Sequence, residues 1–101
     1  MKGSYREINY HELLMLMGNK NYIMIDIRPK YEYDENHIYG AISIPEYDLI
    51  KNYKSLNPQY QYIFICQKGK NSKDVAKTLM SYGYHTISLY KGMEAVKSYE
   101  E

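Results

Sequence analysis

The sequence predicts an α/β fold, a small and mostly parallel sheet with helices on both faces. Three observations predict it. Residues 22–27 and 60–65 are almost continuous apolar runs of strand length, rich in Ile and Tyr, the pattern of strands covered on both sides. From Ser72 to Gly83, Val75, Ala76, Leu79 and Met80 share one helical face while Lys73, Asp74 and Lys77 face away. Strand-like and helix-like segments then alternate along most of the chain, which implies parallel pairing with helices packed on the sheet.

Residues 1–4 are expected to fray. The first helix starts after Asn9, with Glu12 at the capping-box spacing, continues through Leu13, Leu14, Leu16 and Met17, and stops at Gly18. The strand over 22–27 brings Asp26 and Arg28 to its carboxyl end. Pro29 suits the first turn of a short helix ending near Glu35, and Asn36 can adopt the left-handed conformation that closes it. A short strand over 41–44 follows, then Pro45 and a helical patch around 47–53. The Asn57-Pro58 pair marks a turn before the strand over 60–65. Cys66 comes next, then a loop and the helix from Ser72. Residues 86–89 form another strand, and a last helix starts at Met93 after Lys91-Gly92.

With 101 residues the chain fits one domain, 1–101, with an ordered core expected over about 5–97. Hydrophobic residues at 45% and charged residues at 25% exclude a disordered chain. The 13 basic and 12 acidic residues nearly cancel, so no global field points to nucleic acid or an anionic membrane as partner. The longest apolar runs fall far short of the ~20 residues needed to span a bilayer, and the N-terminus does not read as a secretory signal. A cytoplasmic location is the expectation. Fourteen tyrosines stand against one Phe and no Trp, a balance that carries no functional reading.

The single cysteine excludes an internal disulfide and a clustered-cysteine zinc site. Cys66 is therefore either inert packing or a reactive thiol. It lies where a buried strand ends and a helix begins, with Gln67-Lys68-Gly69-Lys70-Asn71 between them. Sites in open parallel sheets form outside the carboxyl ends of strands, where a helix N-terminus offers unpaired N–H groups. Gly69 permits a tight loop whose amides can face an anion, and Lys68 and Lys70 add charge that favours a thiolate.

Three stretches together resemble the rhodanese-like family from Ile8 to Val96. The first is Ile25-Asp26-Ile27-Arg28 with Glu32-Tyr33 and then Asn36-His37-Ile38-Tyr39-Gly40-Ala41, followed by Pro45. The second is the strand 62–65 with Cys66 and its loop through Asn71, and the third is Leu89-Tyr90-Lys91-Gly92-Met93-Glu94-Ala95. The resemblance implies a single rhodanese-like domain acting as a sulfurtransferase. Cys66 would take a sulfane sulfur from a small anionic or persulfide donor, thiosulfate included, and pass it to a thiol acceptor that is a small molecule or a protein. Gln67, Lys68, Gly69, Lys70, Asn71 and Ser72 would form the substrate-binding loop, and the two lysines would recruit the donor.

Arg28 and Asp26 would support that loop from the neighbouring strand end, mainly by orienting backbone. His37 reads as part of a structural turn. No cofactor is called for, and His11, His37 and His85 lack metal-ligand spacing with Cys66. Four departures stand out. Gln67 and Asn71 occupy places where thiosulfate-active members often carry Arg, and Arg or Thr. Asn36 replaces a Gly, and Val96 replaces an aromatic. A phosphatase would need Arg six residues after the cysteine, where this chain has Ser72. The alternative that stays open is a non-catalytic regulatory or docking module on the same fold.

Overall fold

The computed structural model describes the backbone of residues 2–100 and the side chains of residues 2–96. Along the chain it forms β1 (Ser4–Ile8), α1 (Tyr10–Leu16), β2 (Tyr22–Asp26), α2 (Lys30–Glu35), β3 (Ile42–Ser43) and α3 (Glu46–Asn52). After a single 3₁₀ turn over Tyr53–Ser55 come β4 (Gln61–Ile65), α4 (Lys70–Ser81), β5 (His85–Leu89) and α5 (Gly92–Glu100). The five strands make one sheet in the order β1-β5-β4-β2-β3, and every pairing is parallel. No helix among the described residues is long and apolar enough to cross a membrane.

The apolar runs occupy the centre of the sheet because only there are both faces covered. β4 sits between β2 and β5, and its residues alternate between two cores. Ile63 and Ile65 pack with Ile87, Leu89, Leu13, Met93 and Val96, under α1 and α5. Tyr62, Phe64 and Cys66 pack with Ile25, Leu49, Val75, Ala76 and Leu79, under α3 and α4. A fully buried side chain such as Phe64 contributes roughly 1.5–3 kcal/mol to the fold. With one Phe and no Trp, tyrosines supply most of the aromatic packing while their hydroxyls pin loops: Tyr62 donates to the Asn57 carbonyl, Tyr84 to that of Tyr53 and the half-buried Tyr33 to that of Ala41.

Capping follows the sequence closely at α1, where Asn9 and Glu12 form both halves of the capping box. Asn57 likewise turns the chain by accepting the Gln59 N–H at 2.9 Å. Three expectations are corrected. Ser4 belongs to β1, paired with His85, so the chain is held from the edge of the sheet where fraying was expected. Asn36 is extended, at φ −166° and ψ 150°, because its N–H still bonds the Glu32 carbonyl and its own carbonyl accepts from Arg28. α4 starts at Lys70, two residues before Ser72, so Ser72 is already helical.

The connections from β2 lead outward to β3, while those from β4 lead the opposite way to β5. The crevice where the winding reverses therefore opens at the carboxyl ends of β2 and β4, the place where such folds hold ligands. Cys66 follows directly on the end of β4, and Arg28 lies two residues beyond the end of β2.

Candidate active site

Cys66 is buried, 5% exposed, and its sulfur lies over the start of α4. Sγ accepts the Gly69 N–H at 3.1 Å and the Ser72 N–H at 3.2 Å. Gly69 is the N-cap residue of α4 and has no side chain to satisfy the amide three residues on. The Cys66 sulfur fills that place, as an Asn or Ser side chain does in an ordinary cap. The thiol also reaches Ser72 Oγ at 3.3 Å, and Ser72 Oγ lies 2.7 Å from Ser88 Oγ, both serines being fully buried. Two backbone N–H donors thus converge on one sulfur acceptor.

The loop is held in shape by backbone packing from α5. The Met93 N–H bonds the Cys66 carbonyl at 2.9 Å and the Glu94 N–H bonds that of Gln67 at 3.1 Å. Gly69 is left-handed at φ 89°, and a Cβ there would stand 2.7 Å from the Lys91 nitrogen. Gly92 is also left-handed, and a Cβ on it would overlap the Cys66 carbonyl oxygen. Both positions need glycine for approach as well as for backbone angle.

Asp26 and Arg28 form a buried ion pair beside the loop. Arg28 Nη2 donates to Asp26 Oδ2 at 2.8 Å and Nε to Oδ1 at 3.0 Å, while Asp26 Oδ1 also accepts the Arg28 N–H. The same guanidinium donates to the Asn36 carbonyl at 2.7 Å and lies 3.4 Å from Gln67 Oε1. Arg28 thus ties the β2–α2 turn to the first loop residue after the cysteine. His37 stacks on Tyr33, ring centroids 3.8 Å apart, and its Nδ1 lies 2.8 Å from the Tyr33 carbonyl oxygen.

A cavity of about 420 Å³ leads to Cys66 and is lined by Arg28, Glu32, Glu46, Tyr47, Gln67 and Asn71 among others. Of the loop residues singled out from sequence, Gln67 and Asn71 join the cysteine there, and Gly69 and Ser72 hold its sulfur. Lys68 and Lys70 are not brought into this cavity. They line a separate depression with Glu7, Lys73, Asp74 and Lys91, on the other side of the left-handed Gly69 turn. Sequence reasoning missed Ser88, Glu46 and the site role of Glu32. Among the described residues no group of three or more His, Cys, Asp or Glu is placed to hold a metal.

Fold and site together define a doubly wound α/β protein with a thiol cradled at the reversal point of its sheet. The sequence model of the rhodanese-like domain matches residues 9–98, and the chain belongs to that family. It is 33% identical over 72 residues to the putative sulfurtransferase YtwF of Bacillus subtilis, covering 71% of this chain and 70% of that one. It is 25% identical over 96 residues to the thiosulfate sulfurtransferase GlpE of Coxiella burnetii, covering 94% and 90%. A rhodanese-related protein from Thermoplasma volcanium superposes with a TM-score of 0.83 at 26% identity over 93% of both chains. A rhodanese-like domain protein from Staphylococcus aureus gives 0.79 at 28% identity over 94% and 90%.

Proposed function

We propose that this protein transfers sulfane sulfur through a persulfide on Cys66. The observation that carries the reading is the sulfur at the head of α4, accepting the Gly69 and Ser72 amides at 3.1 and 3.2 Å. Donors already aimed at the sulfur stabilise a thiolate, and the same donors suit the charged end of a persulfide. The Cys66 thiolate attacks the outer sulfur of the donor, the donor's S–S bond breaks, and its electron pair leaves with the former carrier. A thiol acceptor then attacks the outer sulfur of the Cys66 persulfide and returns the cysteine to thiolate.

Names of relatives at 25–33% identity support sulfur transfer as the class of reaction. The chemistry assigned to Cys66 rests on its geometry. The direct test is intact mass after exposure to a sulfane-sulfur donor. One added sulfur that a reducing thiol removes is expected, and because the chain has a single cysteine the adduct has one thiol to occupy. An unchanged mass with thiosulfate and with organic persulfides would instead leave the domain as a docking module.

A further inference from the structure

The charges around Cys66 are segregated. The cavity that leads to its sulfur carries Glu32 and Glu46 on its wall, with Arg28 as its cationic lining residue. That guanidinium is held by the Asp26 carboxylate, so the Asp26–Arg28 pair adds no net charge. Lys68, Lys70, Lys73 and Lys91 line the depression on the far side of the Gly69 turn. Lys51 lines the shallow apolar hollow next to the cavity, with Tyr47 and Ile50, and its ammonium stands 6.0 Å from the Tyr47 ring centroid. Neither Glu32 nor Glu46 has an ion-pair partner among the described residues. Both lie in the first turn of a helix, α2 and α3, where a carboxylate is tolerated beside its neighbour.

We infer that Glu32 and Glu46 select the sulfur donor, favouring an organic persulfide on an uncharged or cationic carrier over an inorganic dianion such as thiosulfate. The inference rests on the reading of Cys66 as the sulfur carrier. Sγ attacks in line with the bond that breaks, so the leaving atom lies on the far side of the transferred sulfur, toward the cavity mouth. With an organic persulfide, the Cys66 thiolate and R–S–SH give Cys66–S–SH and R–S⁻: one S–S bond forms, one breaks, and the proton stays on the transferred sulfur. Only one negative charge then develops near the two glutamates, and an ammonium on R offsets it. With thiosulfate, the group leaving past the same glutamates is sulfite, a dianion. The Gly69 and Ser72 N–H groups donate to the cysteine sulfur whichever donor loads it, so the two carboxylates on the cavity wall make the difference.

The experiment uses two organic persulfides of similar length and opposite terminal charge, cysteamine persulfide and 3-mercaptopropionate persulfide, with thiosulfate as a third donor. Sulfur loading of the whole chain is followed by intact mass at low salt and at about 1 M salt, where charges are screened beyond ~3 Å. The wild type is expected to load from the cationic persulfide roughly 5-fold faster than from the anionic one, and thiosulfate to be slowest. The ratio should approach one in high salt and in the Glu32→Gln/Glu46→Gln variant, which should also gain on thiosulfate. Because each ratio is taken within one preparation, loss of folded protein cancels. Equal rates in the wild type, or a preference unchanged in the variant, would overturn the role of the glutamates while leaving Cys66 as carrier. No loading from any of the three donors would overturn both.

Discussion

Ser72 Oγ and Ser88 Oγ stand 2.7 Å apart in the interior, and the first of them touches the Cys66 sulfur at 3.3 Å. Ser72 comes from the first turn of α4 and Ser88 from β5, so the pair fastens the helix that cradles the sulfur to the strand beside it. When the cysteine is ionised, Ser72 can turn its proton toward the sulfur while Ser88 donates to Ser72. Ser88→Ala should therefore slow sulfur loading of Cys66 several-fold and cost about 1–3 kcal/mol of stability, because Ser72 loses its buried partner. Ser72→Ala should slow loading at least as much. Loading rates of folded protein, paired with urea midpoints, check both.

Gly92 and Gly18 are both left-handed, at φ 54° and 83°, yet they should respond differently to alanine. A methyl group at Gly18 meets nothing within 4 Å, so Gly18→Ala should cost only the ~1 kcal/mol of the unfavourable backbone angle. At Gly92 the same methyl overlaps the Cys66 carbonyl, and the loop must shift. Gly92→Ala should cost clearly more in a urea titration and should also abolish loading. Equal penalties at the two positions would show that the close approach of α5 does not fix the loop.

Removing the carboxylate of the buried pair should be the most damaging single change beside the site. Asp26→Ala strands the Arg28 guanidinium, which is 6% exposed, with only the Asn36 carbonyl and Gln67 left to accept from it. A loss of about 3–5 kcal/mol is expected, read as a lowered urea midpoint at unchanged slope.

Much of this was readable along the chain because the information is local. The run over 60–65, the single Cys66, the glycine after it and the amphipathic segment behind it place the site without any long-range contact. What escaped depends on register between distant segments. β1 exposes most of Ser4-Tyr5-Arg6-Glu7 and buries only Ile8, so it has no strand pattern until β5 pairs with it. Ser88 reaches Ser72 because β5 lies beside β4, with Ser88 opposite Phe64. Glu32 and Glu46 come to line one cavity with Cys66 because β2 pairs with β4, whereas Lys68 and Lys70 flank the left-handed Gly69 and line the separate depression with it.

Alkaline pH should weaken the fold through Tyr62. Burial pushes its phenol above the usual 10.0, against the opposing effect of the bond to the Asn57 carbonyl, and Tyr84 and Tyr60 add to the rise. The unfolded chain then ionises first, so the stability tied to the neutral phenol is intact below about pH 10 and is lost as pH rises toward the folded value. Tyr62→Phe should cost about 1 kcal/mol at neutral pH, through the lost bond to the Asn57 carbonyl, and should flatten the alkaline decline. Urea midpoints measured from pH 8 to 11 on both proteins check the sign.

In the proposed transfer the sulfur on Cys66 is an intermediate and not a dead end. Protein loaded with one sulfur and freed of donor should be mixed rapidly with a thiol acceptor, and the loss of that sulfur timed by quenched intact mass. Discharge is expected at least as fast as steady-state turnover with the same acceptor, with the sulfur reappearing on the acceptor and neither loading nor discharge in Cys66→Ser. Discharge slower than turnover, or turnover that survives in Cys66→Ser, would contradict the proposed transfer.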